Sequence, residues 1–308
     1  MTRNGKVSAA IGLCCAVLGV VLTGCDEAPE ESPQPPASGS TTAAANPAND
    51  NSSFAGTKKI QVNGKSVNVS CSGSRTEGKP VVILLHGGGD ALDKMADLQK
   101  TLSEKDAVCS YDRLGAGASD QPDGPQSFED TGKVLTGVID QVAGNAPVVL
   151  AGHSLGGLIA GRYAPEHQDK VKGLVLMDAT SPTQSADLKK DVPESATGMA
   201  AELRDQTLAV FRGDSPEKLV TPDGPVGSAG NIPVEVIQHG KQYLAAVPDY
   251  GPALEQSWAE GQRKWLALSS HSTLSTATNS EHYIYLEQPD IAVQAIERVA
   301  LQVADANK

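Results

Sequence analysis

The sequence lacks the marks of several large protein classes. No apolar run suits a membrane span: Ala9 to Leu22 falls short of the roughly 20 residues a spanning helix needs. Positive charge is scarce. There are 25 Lys and Arg against 37 Asp and Glu, a net charge of −12. That balance argues against nucleic acid as a partner and against electrostatic docking on anionic lipid. No group of His, Cys and acidic residues has metal-ligand spacing, and no G-x-G-x-x-G opens a helix in dinucleotide context, so neither metal nor cofactor is expected. There is no internal repeat. Cysteine is sparse, with five in all.

Arg3 and Lys6 precede the apolar stretch, which ends in Leu22-Thr23-Gly24-Cys25. This resembles a bacterial lipoprotein signal, with 1–24 removed and Cys25 lipidated. The alternative is an ordinary secreted protein with an incidental cysteine. Cleavage would delete Arg3 and Lys6 and no acid, taking the charge from −12 to −14. The expected location is the outer face of the cell membrane, with attachment through lipid on Cys25, each buried methylene adding about 0.8 kcal/mol. Residues 25–55 are mostly Pro, Ser, Ala, Thr, Asn and acids, too polar to bury a core, and read as a disordered tether. Residues 56–308 suit one α/β domain. Cys14 and Cys15 leave with the signal, so Cys71 and Cys109 remain as an even pair in an exported chain.

The pentapeptide Gly152-His153-Ser154-Leu155-Gly156 has the form G-x-S-x-G. An apolar strand, Pro147 to Ala151, precedes it. A helical pattern through Leu155, Leu158, Ile159 and Tyr163 follows. Strand, sharp turn and helix together define a nucleophile elbow that lifts the Ser154 hydroxyl clear of a sheet. The flanking glycines let strand and helix cross closely. Chance is the competing explanation, since the chain has 31 glycines.

Ile60 to Val69 reads as two strands around Asn63-Gly64, a hairpin turn. Further strands are expected at Pro80–Leu85, Ala107–Tyr111, Val171–Met177 and Ile232–Ile237. Ser127 with Asp130 should cap a helix through Leu135, Val138, Ile139 and Val142, and a last helix runs through Ile296, Val299, Ala300 and Val303. Continuous apolar strands alternating with amphipathic helices indicate a mostly parallel sheet with helices on both faces. Residues 181–231 break the rhythm and read as a lid insertion or a plain surface excursion, with a modest helical pattern from Met199 to Phe211.

From about Lys58 onward the order of motifs resembles the α/β-hydrolase superfamily. The matching pieces are Leu85-His86-Gly87-Gly88-Gly89, Tyr111-Asp112-Arg113 running on to Ser119-Asp120, the Ser154 elbow, and Glu281-His282-Tyr283. The resemblance implies a serine hydrolase with Ser154 as nucleophile and His282 as base, with His271 and His239 as rivals for the base. It implies oxyanion donors from the N–H groups of Leu155 and of Gly88, Gly87 being second choice. The acid departs from the commonest pattern: Gln238-His239-Gly240 follows the 232–237 strand without a carboxylate. Some members carry the acid one strand earlier, which selects Asp178, with Asp249 and Glu235 as rivals. The loop at Tyr111-Asp112-Arg113 is expected to be structural. In the usual sheet of this fold the strand at Val67–Ser72 neighbours that at Ala107–Tyr111, so Cys71 and Cys109 should form a disulfide.

The expected activity is hydrolysis of a small-molecule carboxylic ester through an acyl-enzyme on Ser154. Thioesterase, amidase or peptidase, and cofactor-free perhydrolase chemistry share the fold. The alternative of another class is a non-catalytic surface-binding lipoprotein. Substrate identity and oligomeric state are not legible.

Overall fold

The structure, a computed structural model, describes residues 55–306; the expected signal 1–24, Cys25 and all but the last residue of the tether lie outside them. Eight strands form one sheet: β1 (Gly56–Val62), β2 (Lys65–Ser72), β3 (Val81–Leu85), β4 (Ala107–Tyr111), β5 (Val148–His153), β6 (Val171–Met177), β7 (Pro233–His239) and β8 (His271–Ala277). Their spatial order is β1-β2-β4-β3-β5-β6-β7-β8. The strands from β4 to β8 are parallel, while β2 runs antiparallel to both β1 and β4.

Every residue of β3, β4 and β5 is buried, as a sheet covered on both faces requires. Each buried Val, Leu or Ile there contributes about 1.5–3 kcal/mol before chain entropy is counted. One face is covered by α2 (Phe128–Val142) and α3 (Leu155–Tyr163), which pack Leu135, Ile139 and Ile159 onto Ile83 and Leu150. The other is covered by α1 (Ala96–Leu102) and α8 (Pro289–Ala306), which pack Leu98, Ile296 and Val299 onto Leu84 and Val149. Alternate residues of one strand thus feed two cores.

Local chemistry fixes the element ends. Asn63 and Gly64 both have positive φ (50° and 79°), the primed turn that matches strand twist. Ser127 and Asp130 cap α2 reciprocally, each side chain accepting from the other's backbone N–H. Cys71 and Cys109 are register partners on β2 and β4, and their sulfurs are bonded. Their Cα atoms lie 4.1 Å apart, just below the usual lower bound of about 4.4 Å.

Between β6 and β7, residues 181–231 form α4 (Gln184–Asp191), α5 (Gly198–Phe211) and an extended return. Leu188, Val192 and Leu208 build a small separate core against Leu254 and Trp258 of α6 (Gly251–Lys264). A short α7 (Ile284–Glu287) leads into α8. The sequence pattern gave no warning of α6, which enters through Gly251 and Pro252 with only a narrow apolar stripe. Strand β3 is flanked by β4 on one side and β5 on the other, so chain direction through the sheet reverses there. The crevice at the carboxyl ends of β3 and β5 is the position where open α/β sheets place their sites.

Candidate active site

Ser154 sits between β5 and α3 with φ 51° and ψ −120°, a left-handed backbone that a non-glycine residue holds only when its surroundings impose it. The surroundings are glycines. A Cβ on Gly156 would strike the backbone carbonyls of Leu85 and His86, and one on Gly152 would strike that of Gly156. Strand, turn and helix close up only because both side chains are missing. Ser154 is 4% exposed and lines a chamber of about 60 Å³ together with His282, Gly88, Leu155, Trp258 and Thr180. As the first residue of α3, Leu155 has no intrahelical acceptor for its N–H. Gly88, three residues after β3, lines the same chamber next to Leu155, whose Cδ2 a Cβ there would meet at 3.3 Å.

Asp178 directly follows β6 and is fully buried. Its Oδ2 accepts from His282 Nδ1 at 2.7 Å. That bond fixes the tautomer of a neutral His282: the proton is on Nδ1 and the lone pair on Nε2. Asp178 has other donors. Trp258 Nε1 donates to Oδ1 at 2.9 Å, and the backbone N–H of His239 does so at 3.1 Å. Burial alone would raise the Asp178 carboxyl, but the hydrogen bonds of His239 and His282 outweigh it and leave it well below the ordinary range. Asp178 also has positive φ (45°), so the turn after β6 is strained where the carboxylate is aimed.

The loop after β3 is braced from below. The Arg113 guanidinium donates to the carbonyls of His86 and Gly87 at 2.7 and 2.8 Å and forms a two-point pair with Glu217 at 2.7 and 2.9 Å. His86 Nδ1 donates to the Gly87 carbonyl and Nε2 accepts from the Arg113 N–H. Burial, then the nearby Arg113 charge, push His86 down to about 4, so it stays neutral. Asp112 accepts from the N–H groups of Leu92 and Ala118. The 111–113 segment is therefore scaffold.

His153, inside the elbow, donates Nε2–H to the carbonyl of His282, holding that residue's backbone. Burial keeps its ring far below its usual pKa. The rival residues lie elsewhere. His271 is exposed at the start of β8 with Nδ1 on the Asn231 carbonyl. Asp249 is exposed in the loop before α6, and Glu235 pairs with Arg298. His239 is the exception: it touches the Asp178 carboxylate itself, at 2.9–3.0 Å. Sequence reasoning also missed Trp258 and Glu255. They lie three residues apart on α6 and so share the face turned toward β6 and β7. Among the described residues no group of His, Cys, Asp and Glu could hold a metal ion.

The sheet order and this cluster define an α/β fold with a nucleophile elbow. The chain belongs to the alpha/beta hydrolase fold family, whose sequence profile matches residues 80–303. It is similar to the 1-acylglycerol-3-phosphate O-acyltransferase of Arabidopsis thaliana, 29% identical over 157 residues, 49% of this chain and 37% of that one. It is also similar to the human (lyso)-N-acylphosphatidylethanolamine lipase, 29% identical over 152 residues, 47% of this chain and 44% of that one. The chain thus spans well under two thirds of these relatives. Among solved structures, a thermophilic esterase from Thermogutta terrifontis superposes with a TM-score of 0.56 at 17% identity, covering 81% of this chain and all of that one. That likeness supports the fold.

Proposed function

We propose that the chain is a serine hydrolase of carboxylic esters. The observation that carries this reading is one chamber holding both Ser154 and His282, with the Asp178 carboxylate 2.7 Å behind His282 Nδ1. His282 Nε2 takes the Ser154 proton as the hydroxyl attacks the carbonyl carbon. The N–H groups of Leu155 and Gly88 receive the oxyanion. Asp178 orients His282 and stabilises its imidazolium. His282 then returns the proton to the leaving alcohol, and water resolves the acyl-enzyme by the same route. The lipase and esterase names among the similar proteins support acyl chemistry.

Two cavities suggest which part of an ester goes where. A second cleft of about 690 Å³ shares Gly88, Leu155, Val210 and Phe211 with the Ser154 chamber, but His282 does not line it. The leaving oxygen must lie beside His282, so the alcohol occupies the small chamber. At about 10–15 Å³ per water, 60 Å³ holds only a few heavy atoms. The acyl chain then runs over Gly88 and Leu155 into the cleft, whose walls include Ala116, Ala209 and Leu219. Segment 181–231 would act as the lid, since α5 supplies Val210 and Phe211. Methyl and ethyl esters of medium-chain acids should be cleaved faster than benzyl or hexyl acetates. The reverse order would refute the size assignment, and no turnover of any ester would refute the activity.

We also propose attachment to the outer face of the membrane through lipid on Cys25. Cys25→Ser should release the protein into the soluble fraction with unchanged activity; its retention on membranes would refute this anchor.

A further inference from the structure

The acid of the cluster is shared by two imidazoles. His239 Nδ1 lies 3.0 and 2.9 Å from Asp178 Oδ1 and Oδ2, and its Nε2 lies 2.9 Å from Glu255 Oε2. The Glu255 Oε1 accepts from the backbone N–H groups of Leu244 and Ala245 at 2.6 and 3.2 Å. All three side chains are buried, with 6%, 0% and 8% exposure for His239, Asp178 and Glu255. An imidazole nitrogen must carry a proton to face a carboxylate, since two lone pairs repel. Both ring nitrogens face carboxyl groups, the arrangement that an imidazolium satisfies at both ends when the two carboxyls are ionised. His239 also stands at the end of β7, adjacent to the end of β6. The strand end where the family's commonest acid would lie thus carries a cation directed at the acid one strand over.

We propose that His239, clamped between Asp178 and Glu255, is a positioning residue for the triad: it holds the Asp178 carboxylate toward His282 and offsets part of its charge. Glu255 in turn holds and compensates His239. The proposal rests on reading Ser154, His282 and Asp178 as the triad. The physical consequence concerns the base. A bare buried carboxylate would stabilise the His282 imidazolium strongly, leaving the Nε2 lone pair unavailable near neutral pH. A cation on the far side of the same carboxylate weakens that pull. Asp178, His239 and Glu255 together carry one net negative charge.

The environment fits this division. Burial would lower His239, but the hydrogen bonds to Asp178 and Glu255 outweigh it and carry the ring up to about 9. Tyr243 meets the His239 ring edge-on at 4.9 Å, and the Trp258 ring lies 6.3 Å away. Around His282 stand Asp178, the neutral His153 ring at 4.6 Å, Tyr243, Tyr283 and Trp258, with the Asp90 charge acting from the loop after β3.

The test is the acid limb of kcat/KM against pH. His239→Asn keeps an amide donor near the Nδ1 position and removes the cation, so the cluster gains one negative charge. The limb should move to higher pH by about one unit or more. Adding Glu255→Gln restores the original net charge, and the limb should return most of the way. An unmoved limb with lowered kcat would mean His239 only packs, and a limb equally raised in the double variant would refute the charge account. Independently of turnover, nitrogen-15 NMR of the wild-type protein should show both His239 ring nitrogens protonated at pH 7.5, assigned by their loss in His239→Asn. A neutral His239 tautomer would overturn the proposal. An imidazolium without any ester turnover would instead fault the ester-hydrolase reading.

Discussion

Glu217→Gln should destabilise the protein by about 3 kcal/mol, because it strands a buried cation. The Arg113 and Glu217 side chains are 3% and 7% exposed, and two bonds of 2.7 and 2.9 Å join them. Removing one partner of such a pair costs about 3–5 kcal/mol. The lower end applies, since Arg113 keeps the carbonyls of His86 and Gly87. For a domain of this size, about 2–4 °C per kcal/mol converts the loss to roughly 6–12 °C in Tm. The pH dependence supplies an internal control. Burial would raise the Glu217 carboxyl, but the Arg113 charge and hydrogen bond outweigh it and leave it lowered. A lowered carboxylate contributes stability above its unfolded pKa, near 4.3, and loses it as pH falls through the folded value. Thermal melts of wild type and Glu217→Gln should therefore differ fully at pH 7 and converge as pH falls below the ordinary glutamate range. A Tm change under about 2 °C at pH 7, or a gap that persists unchanged in acid, would refute the reasoning.

Asp178→Asn should lower kcat by a few orders of magnitude by replacing an acceptor with a donor opposite His282 Nδ1, whereas Asp249→Asn should stay near wild type; the opposite pattern in steady-state kinetics would move the acid elsewhere. Cys71→Ser with Cys109→Ser frees a loop of sequence separation 38 and should cost roughly 3–4 kcal/mol in a denaturant titration, and the unreduced wild-type protein should show neither thiol on unfolding. Two reactive thiols there would refute the bridge.

Much of this architecture is legible in the sequence because it is local. The Asn63-Gly64 turn, the Ser127 cap and the apolar run of β3 each carry their own pattern, and the elbow is a five-residue motif. What was hidden depends on register. Met177 pairs with Ile237, and only that parallel alignment brings Asp178 and His239 together from 61 positions apart. Glu255 and Trp258 were silent because α6 has a polar composition and a narrow buried stripe, so nothing in its pattern separates a buried glutamate from a solvated one. Arg113 and Glu217 join a scaffold loop to the 181–231 segment across 104 residues, a pairing no periodicity announces.

The proposed activity requires Ser154 to be a nucleophile activated by His282. A fluorophosphonate probe tests it without knowledge of the substrate. Mass spectrometry of the labelled protein should place one phosphonyl adduct on Ser154. That adduct should be absent from Ser154→Ala and form far more slowly on His282→Ala. An unlabelled wild-type protein with its fold intact, or an adduct on another residue, would rule out that role for Ser154.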